Sequence, residues 1–307
     1  MHIIATIVPI FIIVLLGWGV HRRGFIPEEF LAPGNRLVFY VAIPAMIFQA
    51  VSKASFDRFF NPLMILLTLA AAALIYLAAW GLSRATRMDR SMSGTFIQTA
   101  GHGNLGYIGL AVAFYFLGED GLTHAGIIAG FLMLLQNLLS VIALQAHAPK
   151  TSQKFSAGDF FVKVIGNPVI LSVLAGMAFS LFHLPVPQII SRSLTIISGM
   201  ALPMALLIIG ASLSVERIRH YLRAVAGAGI LKLVLLPALG WLFYILADIP
   251  RQAYLPGLIL LASPTATVSY VMSREMHGDG DLAVAVISAS TLASCLTFIF
   301  WLRLVTM

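Results

Sequence analysis

Two short stretches of this chain hold residues that can do chemistry inside an apolar setting. The first reads Gln98-Thr99-Ala100-Gly101-His102-Gly103-Asn104-Leu105-Gly106-Tyr107. Its glycines and asparagine make a poor helix interior, since each Gly costs about 1 kcal/mol relative to Ala. The second reads Leu261-Ala262-Ser263-Pro264-Thr265-Ala266-Thr267. Pro264 has no amide proton and clashes with the preceding turn. Each stretch lies mid-way along a charge-poor run of membrane length, so each is expected to be a helix that breaks at mid-membrane depth. A broken helix presents free amides at the start of its second half and free carbonyls at the end of its first. The amide ends suit an anion. Gly103, Asn104, Leu105 and Gly106 on one side, with Ser263, Pro264, Thr265, Ala266 and Thr267 on the other, are therefore the candidate substrate-binding set for a carboxylate. The competing account is that Gly and Ser let helices pack closely and that Pro264 is an ordinary kink.

Other deep polar residues add to the inventory. Lys232 sits near the middle of an apolar run, where a Lys costs about 3 kcal/mol on insertion scales. It is a candidate countercharge for the substrate, or a stand-in for a coupling cation; snorkelling or pairing with helix-end carbonyls is the structural alternative. His102 lies inside the first break and is a candidate for proton coupling, or a satisfied polar group. Gln136 is expected to face the site, and Asn137 to join helices. All 12 acidic residues fall in loops or at span ends. That argues against a buried-carboxylate proton relay or a carboxylate-built cation site. The sequence has no nucleophile–base set, P-loop or HExxH motif, and its histidines and acids show no metal-ligand spacing. The expectation is no enzyme, no metal and no cofactor.

The elements that would carry these residues are membrane helices. The chain has 307 residues, 60% hydrophobic and 10% charged, against roughly 25% charged in soluble domains. Ten apolar spans are expected, at about 2–21, 31–52, 62–83, 92–117, 121–146, 164–183, 188–213, 221–247, 253–275 and 281–305. The chain also matches itself. Pro9 pairs with Pro168, Gly17 with Gly176, Pro44 with Pro203, Asp57-Arg58 with Glu216-Arg217 and Gly81 with Gly240, each 159 residues on. Gly118, Leu122 and Ala125 pair with Gly278, Leu282 and Ala285 at 160, which also superimposes Asn104 on Pro264. Five spans per half is odd, so the halves (1–147 and 161–307, joined by a cytoplasmic linker at 148–160) are expected to be inverted repeats with the binding site between them. Spans 4 and 9 are the broken, crossing helices. Pro44 and Pro203 are expected to kink spans 2 and 7.

Charge placement sets the expected orientation. The net charge is +7, but it lies in short loops, so it reads as membrane topology and not as nucleic-acid binding. Twelve Lys and Arg, including Arg22, Arg23, Lys150, Lys154, Lys163 and Arg274, follow the odd-numbered spans; four, Lys53, Arg58, Arg251 and Arg303, lie on the other side. Both termini are therefore expected outside and the linker inside. The first apolar run has no basic residue ahead of it and Arg22-Arg23 behind, the reverse of a signal peptide. The single cysteine, Cys295, excludes an intrachain disulfide.

These residues also resemble a known family. Gly103-Asn104-Leu105-Gly106-Tyr107-Ile108-Gly109 looks like a signature of the auxin efflux carrier family, and Ala262-Ser263-Pro264-Thr265-Ala266 with Gly278-Asp279-Gly280-Asp281-Leu282-Ala283 looks like its second. Val41-Ala42-Ile43-Pro44-Ala45 and Lys232-Leu233-Val234-Leu235-Leu236-Pro237 fit bacterial members. The resemblance covers nearly the whole chain. It implies a scaffold of spans 1, 2, 6 and 7, a moving transport domain of spans 3–5 and 8–10, a homodimer through spans 2 and 7, and a bacterial inner-membrane location. It implies small organic anions as substrates, auxin-like acids or dicarboxylates such as malonate, with Asn104 and Gln136 on the carboxylate and Ser263 and Thr265 opposite. Two departures stand out: the central linker is short, and span 3 lacks the charged pair of the plant proteins. The rival expectation is an organic-anion symporter coupled to sodium or protons, resembling the bile-acid symporters in fold.

Overall fold

The computed structural model describes residues 2–53, 60–149 and 166–306. The stretch from Lys150 through Asp159, Lys163 and the pair Asp57–Arg58 lie outside the described residues. Everything regular among them is helical. The chain supplies long runs of apolar residues, and a helix satisfies its own backbone where no water can. Among the described residues, seven helices are long and apolar enough to cross a membrane: Ile3–Arg22, Glu28–Ser52, Pro62–Ala85, Leu105–His147, Gln188–Ala211, Glu216–Leu246 and Gly280–Thr306.

In chain order the helices are α1 (His2–Arg22), α2 (Glu28–Leu37), α3 (Ile43–Ser52), α4 (Pro62–Ala85), α5 (Arg90–Gly101), α6 (Leu110–His147), α7 (Pro168–Leu181), α8 (Gln188–Ser198), α9 (Ala201–Ala211), α10 (Leu222–Ile230), α11 (Leu236–Leu246), α12 (Arg251–Ala262), α13 (Val268–Glu275) and α14 (Gly280–Thr306). Expected spans 6 and 9 are not among the seven long helices. α7 is 14 residues long, and span 9 is divided between the 12 residues of α12 and the 8 of α13. The run Leu105–His147 has 43 residues, about 64 Å of helix at 1.5 Å per residue and twice what one crossing needs. It bends at Gly118, whose φ of 75° and ψ of −162° are open to glycine and not to a side-chain-bearing residue.

Local chemistry sets several boundaries. Asn61 and Asn167 each cap a helix that begins with proline: Asn61 Oδ1 accepts from Met64 N, and Asn167 Oδ1 from Val169 N. Proline suits the first helical position because its missing N–H would have no partner there. Two prolines within spans widen the turn before them into π form, at Val38–Ala42 ahead of Pro44 and at Leu231–Leu235 ahead of Pro237. The ring of a proline crowds the carbonyl four residues back, and a wider turn relieves the clash. That carbonyl in the second case, Leu233 O, is taken up by Trp301 Nε1–H at 2.9 Å. Pro203 does otherwise, falling in the first turn of α9 just after α8 gives way at Gly199.

The helices pack in two groups that also meet, α14 and α6 both touching α1. α1 runs along α9, and α3 along α7 and α8. α4 packs on α5, α11 and the later part of the chain's longest helix, while α14 packs on α5, α10 and α13. Glycines permit the closest approaches. A methyl at Gly17 would lie 2.8 Å from Leu207 Cα, and one at Gly176 would lie 2.9 Å from Val51 Cβ and 3.3 Å from Phe48 O. Gly17 and Leu207 each differ by 159 in number from Gly176 and Phe48, so the α1–α9 contact recurs as α7–α3 with the roles exchanged.

A methyl at Gly210 would lie 2.8 Å from the Val14 carbonyl carbon and 2.9 Å from Trp18 N, whereas one at Gly19 meets nothing within 4 Å. Overpacking of this kind costs about 1–3 kcal/mol or more. Gly210→Ala is therefore expected to lower the melting temperature of the detergent-purified protein by several degrees and Gly19→Ala to leave it unchanged or raise it slightly, as read by tryptophan fluorescence.

Candidate functional site

The site is built where two helices stop. α5 ends at Gly101; His102 has extended backbone (φ −82°, ψ 99°), and the helical path resumes at Leu105. α12 ends at Ala262; Ser263 is extended (φ −62°, ψ 145°), and α13 starts at Val268. The two interruptions lie side by side and antiparallel. Asn104 N donates to Pro264 O at 2.7 Å and Ala266 N to His102 O at 2.9 Å, pairing Gly103 with Thr265 as a minimal two-stranded bridge. Each interruption thus supplies the hydrogen bonds that the other one lacks, which a backbone buried away from water requires.

Side chains satisfy the remaining groups. Gln136 Oε1 accepts from Gly103 N at 3.2 Å, and Asn104 Oδ1 from Tyr107 N at 3.3 Å. Thr265 N donates to Ser290 Oγ at 3.1 Å. The Thr265 hydroxyl donates to Thr99 O at 2.8 Å and the Ser263 hydroxyl to Leu260 O at 2.6 Å. These two hydroxyls, expected on the substrate, spend their protons on the protein's own backbone. Lys232 Nζ donates to Leu261 O at 2.8 Å, at the carbonyl end of α12. A methyl on Gly103 would lie 2.8 Å from Ser263 Oγ and 3.2 Å from Lys232 Nζ. Gly103 is therefore the point at which the first interruption, the serine and the lysine converge.

At the crossing, two buried donors have no partner among the described residues: Asn104 Nδ2 and Gln136 Nε2. Asn104 is 5% exposed and Gln136 1%. Their orientation follows from the network, because the oxygen of each amide already accepts a backbone N–H, which leaves the NH2 as the unused end. A buried donor without a partner costs about 1–3 kcal/mol. Both belong to residues that meet Gly103, Asn104 as its chain neighbour and Gln136 through the Gly103 N–H.

Of the residues singled out by sequence, the structure brings His102, Gly103, Asn104, Gln136, Lys232, Ser263, Pro264, Thr265 and Ala266 to this crossing. Leu105 packs in the apolar core, and Gly106 faces Met133 and Ile43. Thr267 is the residue before α13. Pro44 follows a widened turn and Pro203 lies in the first turn of α9, both away from the crossing. His102 Nδ1 is 3.1 Å from Ser140 Oγ, which pairs with Tyr76 OH at 2.8 Å; Tyr76 OH also donates to Gln136 O at 3.1 Å. Sequence reading missed Tyr76, Ser140, Ser290 and Asn35. Ser140 was findable, since it stands one turn beyond Gln136 on the same helix face. Asn35, whose side chain takes the Tyr107 hydroxyl, carries no local signal. Among the described residues no group of three or more His, Cys, Asp or Glu is placed to hold a metal ion.

Membrane-length helices around a buried polar crossing belong to a multi-pass membrane transporter. The chain belongs to the membrane transport protein family, the auxin efflux carrier family, whose pattern matches residues 2–302. It is 26% identical over 300 residues to a Rhizobium meliloti protein named "Putative malonate transporter", covering 96% of this chain and 93% of that one. It is 25% identical over 299 residues to an uncharacterized transporter of Methanothermobacter thermautotrophicus, covering 96% of each. An uncharacterized transporter of Escherichia coli is 21% identical over 306 residues, covering 97% of this chain and 96% of that one.

Tyr76→Phe removes the hydroxyl that ties α4 to Gln136 O and Ser140. Its expected cost is about 1–2 kcal/mol, seen as a lower melting temperature of the ligand-free protein.

Proposed function

We propose that this transporter carries small organic anions, bound by a carboxylate at the crossing of the two interrupted helices. The observation that carries the reading is the pair of buried, unpartnered amide donors, Asn104 Nδ2 and Gln136 Nε2. An anion with two carboxylate oxygens satisfies both at once. The malonate named for the Rhizobium meliloti relative is of this class, as are auxin-like monocarboxylates.

The proposed architecture is ten spans in two inverted repeats, with both termini outside the inner membrane of a bacterium. Spans 4 and 9 are α5 with the helix from Leu105, and α12 with α13. The exchanged glycine contacts, α1–α9 against α7–α3, support the two-fold relation between repeats. The two packing sets support a scaffold of spans 1, 2, 6 and 7, dimerising through spans 2 and 7, and a transport domain of spans 3–5 and 8–10 that slides against it. Such sliding exposes the one site to each side in turn. The membrane potential, negative inside, drives net anion export when no ion is coupled.

Binding is read by thermal shift of the purified protein in sodium-free buffer, where a ligand of the folded state raises the melting temperature by mass action. Malonate or an auxin-like acid is expected to raise it. Asn104→Ala removes one hydrogen bond to a charged group, about 1.5–3 kcal/mol, so affinity is expected to fall roughly 10- to 100-fold while the ligand-free protein still folds. Unchanged affinity in that variant would remove the crossing from the site. A shift that needs sodium would replace the uncoupled reading with a symporter.

A further inference from the structure

Among the described residues Lys232 is the one Lys, Arg, Asp or Glu that is buried, at 0% exposed. It stands in the widened turn Leu231–Leu235 ahead of Pro237, near the middle of its span. It has no carboxylate partner among those residues; the ion pair Arg217–Asp281 lies at the exposed start of α14. Its ammonium rests on Leu261 O, in the last turn of α12, where unpaired carbonyls give the helix end partial negative charge. One of its three protons is used there. The ammonium also lies against Gly103, whose chain neighbour Asn104 and whose N–H partner Gln136 carry the two free amide donors. A partial charge at a helix end does not neutralise an ammonium, so a protonated Lys232 would leave the buried crossing with a net positive charge.

Building on the anion-carrier reading, we propose that Lys232 is a fixed countercharge that travels with the site. The site then crosses the membrane with charge +1 when empty, 0 with a monocarboxylate and −1 with a dicarboxylate dianion. It also means that the carbonyl end of α12 has its cation built in and needs none from solution. The membrane field acts on whatever charge the moving body carries. For a monocarboxylate it acts on the return of the empty carrier and not on the loaded step, whereas for a dianion it acts on both.

The test uses the full-length protein in proteoliposomes, with the potential set by potassium and valinomycin and no sodium present. The probes are radiolabelled malonate, a dianion near neutral pH, and malonamate, its monoanionic amide of nearly the same size. Self-exchange across the membrane involves loaded carriers alone. Wild-type malonamate exchange is expected to be the same at 0 and −100 mV, while malonate exchange changes several-fold. One charge crossing 100 mV shifts the balance of inward and outward carriers by about 50-fold. Lys232→Met lowers every loaded charge by one, so malonamate exchange becomes voltage-dependent and malonate exchange more so; Lys232→Arg keeps the wild-type pattern. If Lys232→Met does not fold, the contrast between the two probes in wild type decides alone. Voltage-dependent malonamate exchange in wild type, or a Lys232→Met protein with the wild-type pattern, would overturn the proposal while leaving the binding site in place. Failure of either probe to bind wild type at all would instead strike the anion reading, and this inference with it.

Discussion

The constraint on which the rest depends is that a peptide group buried in a membrane protein must find a hydrogen-bond partner. A helix meets it automatically, and an interrupted helix does not. This chain interrupts two helices and lets each interruption serve the other. Asn104 N reaches Pro264 O, and Ala266 N reaches His102 O. Pro264 fits this exchange because its carbonyl accepts and its missing N–H leaves no donor to satisfy. Gly103 fits because any side chain there would enter the space of Ser263 Oγ and Lys232 Nζ. Gln136 and Ser290 complete the arrangement from neighbouring helices. The helices around the crossing therefore hold a small sheet-like element in place as much as they fill an apolar core.

That economy of hydrogen bonds decides which polar groups are left over. The Ser263 and Thr265 hydroxyls are spent on Leu260 O and Thr99 O. The Asn104 and Gln136 oxygens are spent on backbone amides, which frees their NH2 groups. What remains is a set of donors: two amide NH2 groups and two protons of an ammonium. In the proposed anion site such a set would match an acceptor-only group better than a cation.

Much of this was legible in the sequence, and for stated reasons. Charge-poor runs of membrane length announce helices, and the short family motifs follow in order from Val41 to Ala283. The places where helical geometry stops include the residues least able to sustain it, the glycines around His102 and Pro264. Less visible was how the polar side chains divide their bonds. Nothing local says that the Thr265 hydroxyl turns to Thr99, 166 residues away, or that Tyr76 ties α4 to Gln136 across 60. Such pairings are set by tertiary packing. The breaks were more legible than the pairings: the expected spans already parted between 117 and 121, either side of Gly118, and span 9 was expected to break at Pro264, where the structure divides it into two short helices.

The most direct measurement is an experimental structure of the protein determined with a saturating small carboxylate, such as malonate, and compared with one determined without it. The account predicts new density at the crossing, with carboxylate oxygens within about 2.7–3.2 Å of Asn104 Nδ2 and Gln136 Nε2, and the bridge between Gly103 and Thr265 intact. Density for the carboxylate elsewhere, with both amide groups turned onto protein partners, would contradict it.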